Sequence, residues 1–248
     1  RSLAAADRQI AALLAFALML HFIFGDFGWF RRYEIYIWSS VLCGFIYLGR
    51  EMLVNAFMRM KWAVFLAGIL LVTAVFTPYL GCVLQTPTAS NNIYEQQYQM
   101  HRFAKLYNKP IAVNDLGFVS WRNDQYVLDL WGLASTEALK ELISAREARE
   151  AAKQSGVAFD EVARTTWMQR LAKKHNVQVA MLYEKGFVAF PKEWIKVAEL
   201  KLSRNLITPA YETVAFYAFD ADARDAVRPS LEAFKQTLPK EVVFDILQ

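Results

Sequence analysis

The stretch that decides the fold lies at residues 62–81, WAVFLAGILLVTAVFTPYLG, which contains no charged side chain. A helix of this length rises about 30 Å, which matches the hydrocarbon core of a bilayer. Its apolar residues occupy every side of such a helix, whereas the core helix of a soluble protein keeps a polar stripe. We therefore expect this stretch to cross a membrane.

Two more apolar segments precede this stretch. The first, residues 9–25, has His21 as its one titratable side chain, and the second, residues 33–49, contains Glu34 near its start. The sequence thus predicts about three transmembrane helices within residues 1–89. Residues 51–61, between the second and third segments, fit either an amphipathic helix in the membrane interface or a plain connecting loop.

Basic residues near the ends of these segments predict how the protein is oriented. Arg31 and Arg32 lie between the first two segments, whereas five basic residues flank the other side: Arg1, Arg8, Arg50, Arg59 and Lys61. Because the side with more Lys and Arg stays in the cytoplasm, residues 90–248 should lie in the periplasm, with the protein in a bacterial inner membrane. The sequence begins at Arg1, so either the start was removed or a longer protein continues upstream.

Residues 90–248 have the pattern of a soluble domain in which strands alternate with helices. This order predicts a layered α/β domain with a mainly parallel or mixed sheet. Strands are predicted at 111–113, 118–121, 126–130, 177–183, 197–202, 213–219 and 242–246, and helices at 93–107, 136–155, 160–174 and 220–237.

Several kinds of chemistry find no support in the residues. The net charge is +4 and no basic run is interleaved with aromatic residues, which argues against nucleic acid as a partner. His21, His101 and His175 are far apart, so no metal-ligand spacing is present. There is also no glycine-rich phosphate loop. The sequence predicts neither a metal nor a bound cofactor in this chain.

The short loop at residues 26–34 is the first candidate site. Its paired arginines, Arg31 and Arg32, could hold a phosphate headgroup through forked hydrogen bonds, with Glu34 orienting them. The alternative is that the arginines mark a helix end and extend to water. The residues by themselves favour this second interpretation.

The second candidate site lies at the ends of two neighbouring predicted strands. Asn114 and Asp115 follow one strand and Asp129 ends the next, where open α/β sheets bind ligands. Trp121 and Trp131 could stack on a sugar ring. The alternative, again favoured by the residues alone, is that the acidic and amide groups bond the local backbone and the tryptophans pack in the core.

Four stretches carry a resemblance to a known family. They are WFRRYEIY at 29–36, NIYEQQYQM at 92–100, VNDLG at 113–117 and VLDLWGL at 127–133. Together they resemble the C-terminal part of bacterial multi-span glycosyltransferases of the GT-C type, which use polyprenyl-phosphate sugars. The resemblance covers most of the chain and is strongest over residues 25–135. It implies transfer of a sugar from a polyprenyl-phosphate carrier to a periplasmic acceptor.

The same resemblance implies that the catalytic machinery is incomplete here. Such enzymes place their catalytic carboxylate in the first outer loop of a much larger helical bundle, so no catalytic residue can be assigned in this chain. The first hypothesis is therefore the C-terminal portion of such a glycosyltransferase, whose remaining spans complete the site. The second is a non-catalytic, membrane-anchored periplasmic scaffold or binding subunit of a larger complex.

Overall fold

A computed structural model describes residues 5–25, 27–28, 33–158, 160, 165–203 and 205–247. The chain divides into two compact units, Arg1–Pro87 and Thr88–Gln248. The boundary that we predict from the sequence lies close by, between residues 89 and 90.

The first unit is helical. Its helices are α1 (Ala5–Phe24), α2 (Ile35–Leu48) and α3 (Arg50–Glu95). Within the described residues, two helices are long and apolar enough to cross a membrane, namely α1 and the helix that begins at Arg50. The second of the three expected spans, residues 33–49, corresponds to α2, which has 14 residues and so rises only about 21 Å.

Helix α3 is longer than the sequence predicted. It extends well beyond the apolar stretch 62–81, because Pro78 and Pro87 both lie inside the helix, which continues to Glu95. Beyond Pro87 the side chains of Asn92 and Glu95 are buried, and tertiary packing of this kind outweighs local helix-breaking tendency. The one non-helical residue within α3 is Met60, so the segment left open between helix and loop, residues 51–61, is helical up to this kink.

Helices α1 and α2 pack as a hairpin that has a polar contact at each end. At one end Asp7, which is buried, accepts two hydrogen bonds from the Arg50 guanidinium, at 3.1 and 3.2 Å. At the other end His21 Nδ1 lies 2.6 Å from Tyr36 Oη. The first contact joins α1 to Arg50, the first residue of α3, and the second joins α1 to Tyr36 near the start of α2. The two polar contacts therefore lie at opposite ends of the α1–α2 pair.

Gly44 lets the two helices approach in the middle of the hairpin, because a Cβ there would overlap Leu14 Cδ1. We expect Gly44→Ala to destabilise the helix pair by about 1–2 kcal/mol, since Leu14 must leave its preferred rotamer. The double change Leu14→Ala with Gly44→Ala should relieve the overlap. Titration of the micelle-solubilised chain with SDS, followed by intrinsic fluorescence, measures both.

Gly68 supplies the matched control for this prediction. It also lies in an apolar helix, but a Cβ added there meets nothing within 4 Å. Gly68→Ala should therefore leave the SDS midpoint unchanged or raise it slightly through better helix propensity. Equal losses for Gly44→Ala and Gly68→Ala would contradict the close approach.

The second unit is built on a six-stranded sheet of order β2-β1-β3-β5-β4-β6. Its strands are β1 (Ile111–Val113), β2 (Val127–Asp129), β3 (Val179–Leu182), β4 (Ile195–Lys201), β5 (Thr213–Ala218) and β6 (Val243–Ile246). β1 pairs in parallel with both β2 and β3, whereas the β3–β5, β5–β4 and β4–β6 pairs are antiparallel. The predicted α/β domain with a mixed sheet is confirmed.

Helices cover the two faces of this sheet. They are α4 (Gln97–Tyr107), α5 (Gly117–Ser120), α6 (Thr136–Ser155), α7 (Thr166–Lys174) and α8 (Ala221–Thr237). On one face Phe103 of α4 and Phe234 of α8 pack with Phe216 of β5. On the other face Ala138 of α6 and Trp167 of α7 join a second apolar core.

One local prediction is corrected, and another is confirmed in its described part. Residues 118–121 were predicted as a strand, but residues 117–120 form α5, in which Ser120 N donates to Leu116 O at 3.0 Å. The aromatic side chains that suggested a strand pack against α4 instead, as Phe118 does on Tyr98. The helix predicted at 160–174 is confirmed over Thr166–Lys174, and residues 161–164 lie outside the described residues.

Candidate functional site

The site predicted in the second unit lies at the carboxyl edge of the three parallel strands. Asn114 and Asp115 follow β1, Asp129 ends β2, and Tyr183 follows β3. The chain leaves β1 towards α5 on one face and leaves β2 towards α6 on the other. Where neighbouring connections diverge in this way, an open sheet forms the crevice in which α/β domains bind ligands.

Asp129 is engaged in holding its own loop. Its side chain is buried, and its two carboxylate oxygens accept hydrogen bonds from Trp131 N at 2.8 Å and Ala134 N at 2.6 Å. Between these residues Gly132 has a φ of +79°, which a side chain would strain. Asp129 therefore acts as a turn residue that fixes the entry to α6, the second of the two interpretations drawn from the sequence.

Asn114 and Asp115 both contact Tyr183. Asn114 Oδ1 accepts from Tyr183 N at 3.1 Å, and Asp115 Oδ2 lies 3.1 Å from Tyr183 Oη. Asp115 Oδ2 also accepts from Gln97 Nε2 at 3.1 Å. Across the described part of the chain, the buried atoms Asn114 Nδ2 and Gln97 Oε1 have no hydrogen-bond partner. The carboxyl edge of the parallel strands thus contains an unpaired amide donor, Asn114 Nδ2, and an unpaired amide acceptor, Gln97 Oε1, near the Asp115 carboxylate.

The phenol of Tyr183 is the centre of this cluster. It donates to Gln96 Oε1 at 2.7 Å and accepts from Gln97 Nε2 at 3.1 Å. Burial raises the pKa of Tyr183 well above its ordinary value, and the nearby charge of Asp115 raises that pKa further. The phenol stays neutral over the whole physiological range and serves as a hydrogen-bond hub rather than as a base.

The sequence did not point to the residues that complete this cluster. The end of α3 and the start of α4 bury a row of polar side chains that bond residues 203–212. Glu95 Oε2 accepts from Ser203 N at 2.9 Å, and Asn92 Oδ1 accepts from Ile207 N at 2.8 Å. Gln96 Nε2 donates to Tyr211 O at 3.1 Å. The available signal was the polar run NIYEQQ, because amides and a carboxylate at helical spacing on a buried face require partners.

This arrangement coincides with a family match. Residues 91–217 match the model of a family described as Domain of unknown function (DUF8728). The chain belongs to that family. The matched range begins just before Asn92 and ends within β5, so it contains the polar row and the carboxyl edge of the parallel strands. No curated protein and no solved structure matches the chain.

A charged network lies within the DUF8728 region. Lys196 of β4 bonds Glu184 at 2.7 Å and also pairs with Glu199, which bonds Lys201 at 2.8 Å. Both lysines lower the pKa of Glu199. These charges neutralise one another along β4, and no group of three or more metal-ligating side chains occurs among the residues described.

The other predicted site lies outside the DUF8728 region, in the first unit. Arg31 and Arg32 are outside the described residues. Glu34, the third residue predicted there, is half-buried, and its Oε1 accepts from Gly28 N at 2.6 Å. His21 and Tyr36 meet at the ends of the two helices that this loop connects. The described contacts therefore hold both ends of the loop that carries the two arginines.

Proposed function

We propose that this chain is the C-terminal portion of a GT-C type glycosyltransferase that moves a sugar from a polyprenyl-phosphate carrier to a periplasmic acceptor. Its catalytic carboxylate would lie outside this chain. Loop 26–34 would bind the carrier phosphate, and the DUF8728 domain would help to select the acceptor.

The membrane part of the proposal has three spans. The pairing of α1 with α2 supports counting the short helix α2 as a span, because Tyr36 near the start of α2 contacts His21 of α1, and Arg50, just beyond the end of α2, bonds Asp7 of α1. Large apolar side chains such as Phe16, Phe45 and Leu70 are exposed, and lipid or further spans of a larger bundle would cover them. The N-terminus would be cytoplasmic and residues 90–248 periplasmic in the inner membrane.

The observation that carries the proposal is the anchoring of loop 26–34. Glu34 bonds the backbone of Gly28 across the loop, and His21 contacts Tyr36 where the two helices meet. A loop whose two ends are held loses less conformational freedom when its arginines bind a phosphate. Glu34 acts here on the backbone, so its proposed role is to shape the loop.

The test is the double change Arg31→Ala with Arg32→Ala in the complete protein. Transfer from the polyprenyl-phosphate sugar should fall roughly a hundredfold, as when a preorganised donor is removed from a charged transition state. The change Arg31→Lys with Arg32→Lys, which keeps the charge but loses the fork, should retain part of the activity. Membrane insertion of all variants should be unchanged, and turnover equal to the parent enzyme would contradict the assignment of the loop.

A second candidate function is supported by the carboxyl edge itself. Asp129 is fully used in its own turn, and Asp115 bonds Gln97 and Tyr183. Side chains whose hydrogen bonds stabilise the fold in this way are consistent with a non-catalytic scaffold or binding subunit anchored in the membrane. Under this alternative the double arginine change would leave the assembly and function of the complex intact, and no sugar transfer would be found.

A further inference from the structure

Five aromatic side chains from the end of α3, from α4 and from the α5 region form a continuous surface. They are Tyr94, Tyr98, His101, Phe118 and Trp121, and they are called the aromatic patch below. Tyr94 stacks on Tyr98 with ring centroids 5.6 Å apart, and Tyr98 meets the edge of Phe118 at 5.9 Å. Trp121 lies 6.1 Å from Phe118. The rings therefore make one connected set rather than scattered surface residues.

Much of this patch is open to solvent. Trp121 is 54% exposed, Tyr94 44% and Phe118 37%. An exposed cluster of large rings marks a place where something binds, because a soluble domain otherwise covers such area. The contacts among the rings also fix their orientation, so their faces are arranged before any ligand arrives.

Polar atoms without partners lie within and beside the patch. His101 is only 9% exposed, and its ring contacts Phe118 at 6.2 Å and Trp121 at 5.9 Å. Its Nδ1 has no hydrogen-bond partner among the residues described. One turn earlier on α4, Gln97 likewise keeps a buried Oε1 without a partner, and it bonds Asp115 just before α5. Buried polar atoms of this kind require a partner that the domain itself does not supply.

The cations next to the patch are already engaged. The Arg122 guanidinium lies over the Trp121 ring at 5.0 Å. Lys105 donates to Arg122 O at 2.9 Å and pairs with Asp124. Attraction to an anionic membrane surface relies on free basic side chains, so this composition favours a neutral ligand.

We propose that the aromatic patch binds the sugar rings of a neutral glycan acceptor. The C–H faces of sugar rings would stack on Trp121, Phe118 and Tyr98, and ring hydroxyl groups would bond His101 Nδ1 and the Gln97–Asp115 pair. This inference rests on the proposed function, whose acceptor it describes as a saccharide, and it assigns acceptor binding to α4 and α5 rather than to Trp131.

The test is a binding measurement on the full chain in micelles of a detergent without a sugar headgroup, which would otherwise compete. The probes are hexasaccharides of α-1,4-glucose, β-1,4-glucose and N-acetylglucosamine at millimolar concentrations, and the readout is isothermal titration calorimetry. Trp121→Ala and Phe118→Ala should each weaken binding by about fivefold to tenfold, in line with the loss of one aromatic contact. Trp121→Phe should retain most of the affinity.

The matched control is Trp131→Ala, which removes a partly exposed tryptophan from the loop after β2. It should leave saccharide binding unchanged, and loss in Trp131→Ala with none in Trp121→Ala would overturn the proposal. So would the absence of binding to every probe. Adsorption to phosphatidylglycerol vesicles that requires Trp121, without saccharide binding, would instead identify a membrane-docking surface and overturn it as well.

These outcomes are separate from those for the proposed function. Saccharide binding that depends on Trp121, in a protein whose sugar transfer does not respond to the loss of Arg31 and Arg32, would support the patch and contradict the carrier site. Transfer that depends on the two arginines, without saccharide binding, would do the reverse.

Discussion

Gly132→Ala is expected to destabilise the α/β domain by about 3 kcal/mol, combining the strain of a left-handed residue with overpacking. At its φ of +79°, a Cβ would lie 2.7 Å from Leu139 Cα and 2.8 Å from Leu139 N. These are backbone atoms of α6, so the helix itself must move. The hydrogen bonds from Trp131 N and Ala134 N to Asp129 would loosen with it. Pulse proteolysis of the full chain in micelles across a urea series measures the loss.

Gly156 is the matched control for this change. It also has a positive φ, +66°, at the end of α6, but a Cβ there meets nothing within 4 Å. Gly156→Ala should therefore cost only the backbone strain, about 1 kcal/mol. If the two alanine variants unfold at the same urea concentration, the contact with Leu139 is not a constraint on the loop.

Tyr183→Phe should lower the free energy of unfolding by about 2 kcal/mol, because it leaves buried polar groups without their partner. The lost hydroxyl donates to Gln96 Oε1 at 2.7 Å, accepts from Gln97 Nε2 at 3.1 Å and lies 3.1 Å from Asp115 Oδ2. Tyr211→Phe is the control, since the Tyr211 hydroxyl donates one exposed hydrogen bond, to Lys185 O at 3.3 Å. A loss in Tyr211→Phe as large as that in Tyr183→Phe would contradict the hub.

Tyr183→Phe should also change how the free energy of unfolding depends on pH in the alkaline range. Burial and the charge of Asp115 raise the pKa of Tyr183 in the folded domain above the ordinary value of 10.0. The unfolded chain therefore loses this proton first, and the stabilisation from the neutral phenol is complete below pH 10 and declines as the pH rises above it. Tyr183→Phe should have a shallower decline between about pH 10 and 11. An unchanged slope in urea unfolding would show that Tyr183 does not contribute.

The long-range pattern of the sequence was sufficient for the division into an apolar helical part and a mixed α/β domain. Periodicity depends only on local order along the chain, so the helix at 136–155 and the strand at 213–218 were predictable. The positions at which helices end were less predictable. The continuation of α3 past Pro87 depends on Asn92 and Glu95 bonding residues more than a hundred positions away.

The candidate site was likewise predictable from the sequence only in part. The sequence suggested that Asn114, Asp115 and Asp129 share an edge, because they follow predicted neighbouring strands. It could not indicate that Tyr183 joins Asn114 to Asp115, since that contact depends on β3 lying beside β1. It also could not distinguish the roles of two aspartates, because Asp129 bonds its own loop whereas Asp115 bonds two other elements.

The stretch at 62–81 determined by itself that the chain contains a long apolar helix, because hydrophobicity and length are properties of the residues alone. Tertiary structure alone decided where the aromatic patch lies. Residues 117–121 appear strand-like in composition, yet Phe118 and Trp121 pack on His101 and Tyr98 of α4. A connected aromatic surface requires two elements that are distant in sequence to meet, and that meeting depends on packing rather than on local pattern.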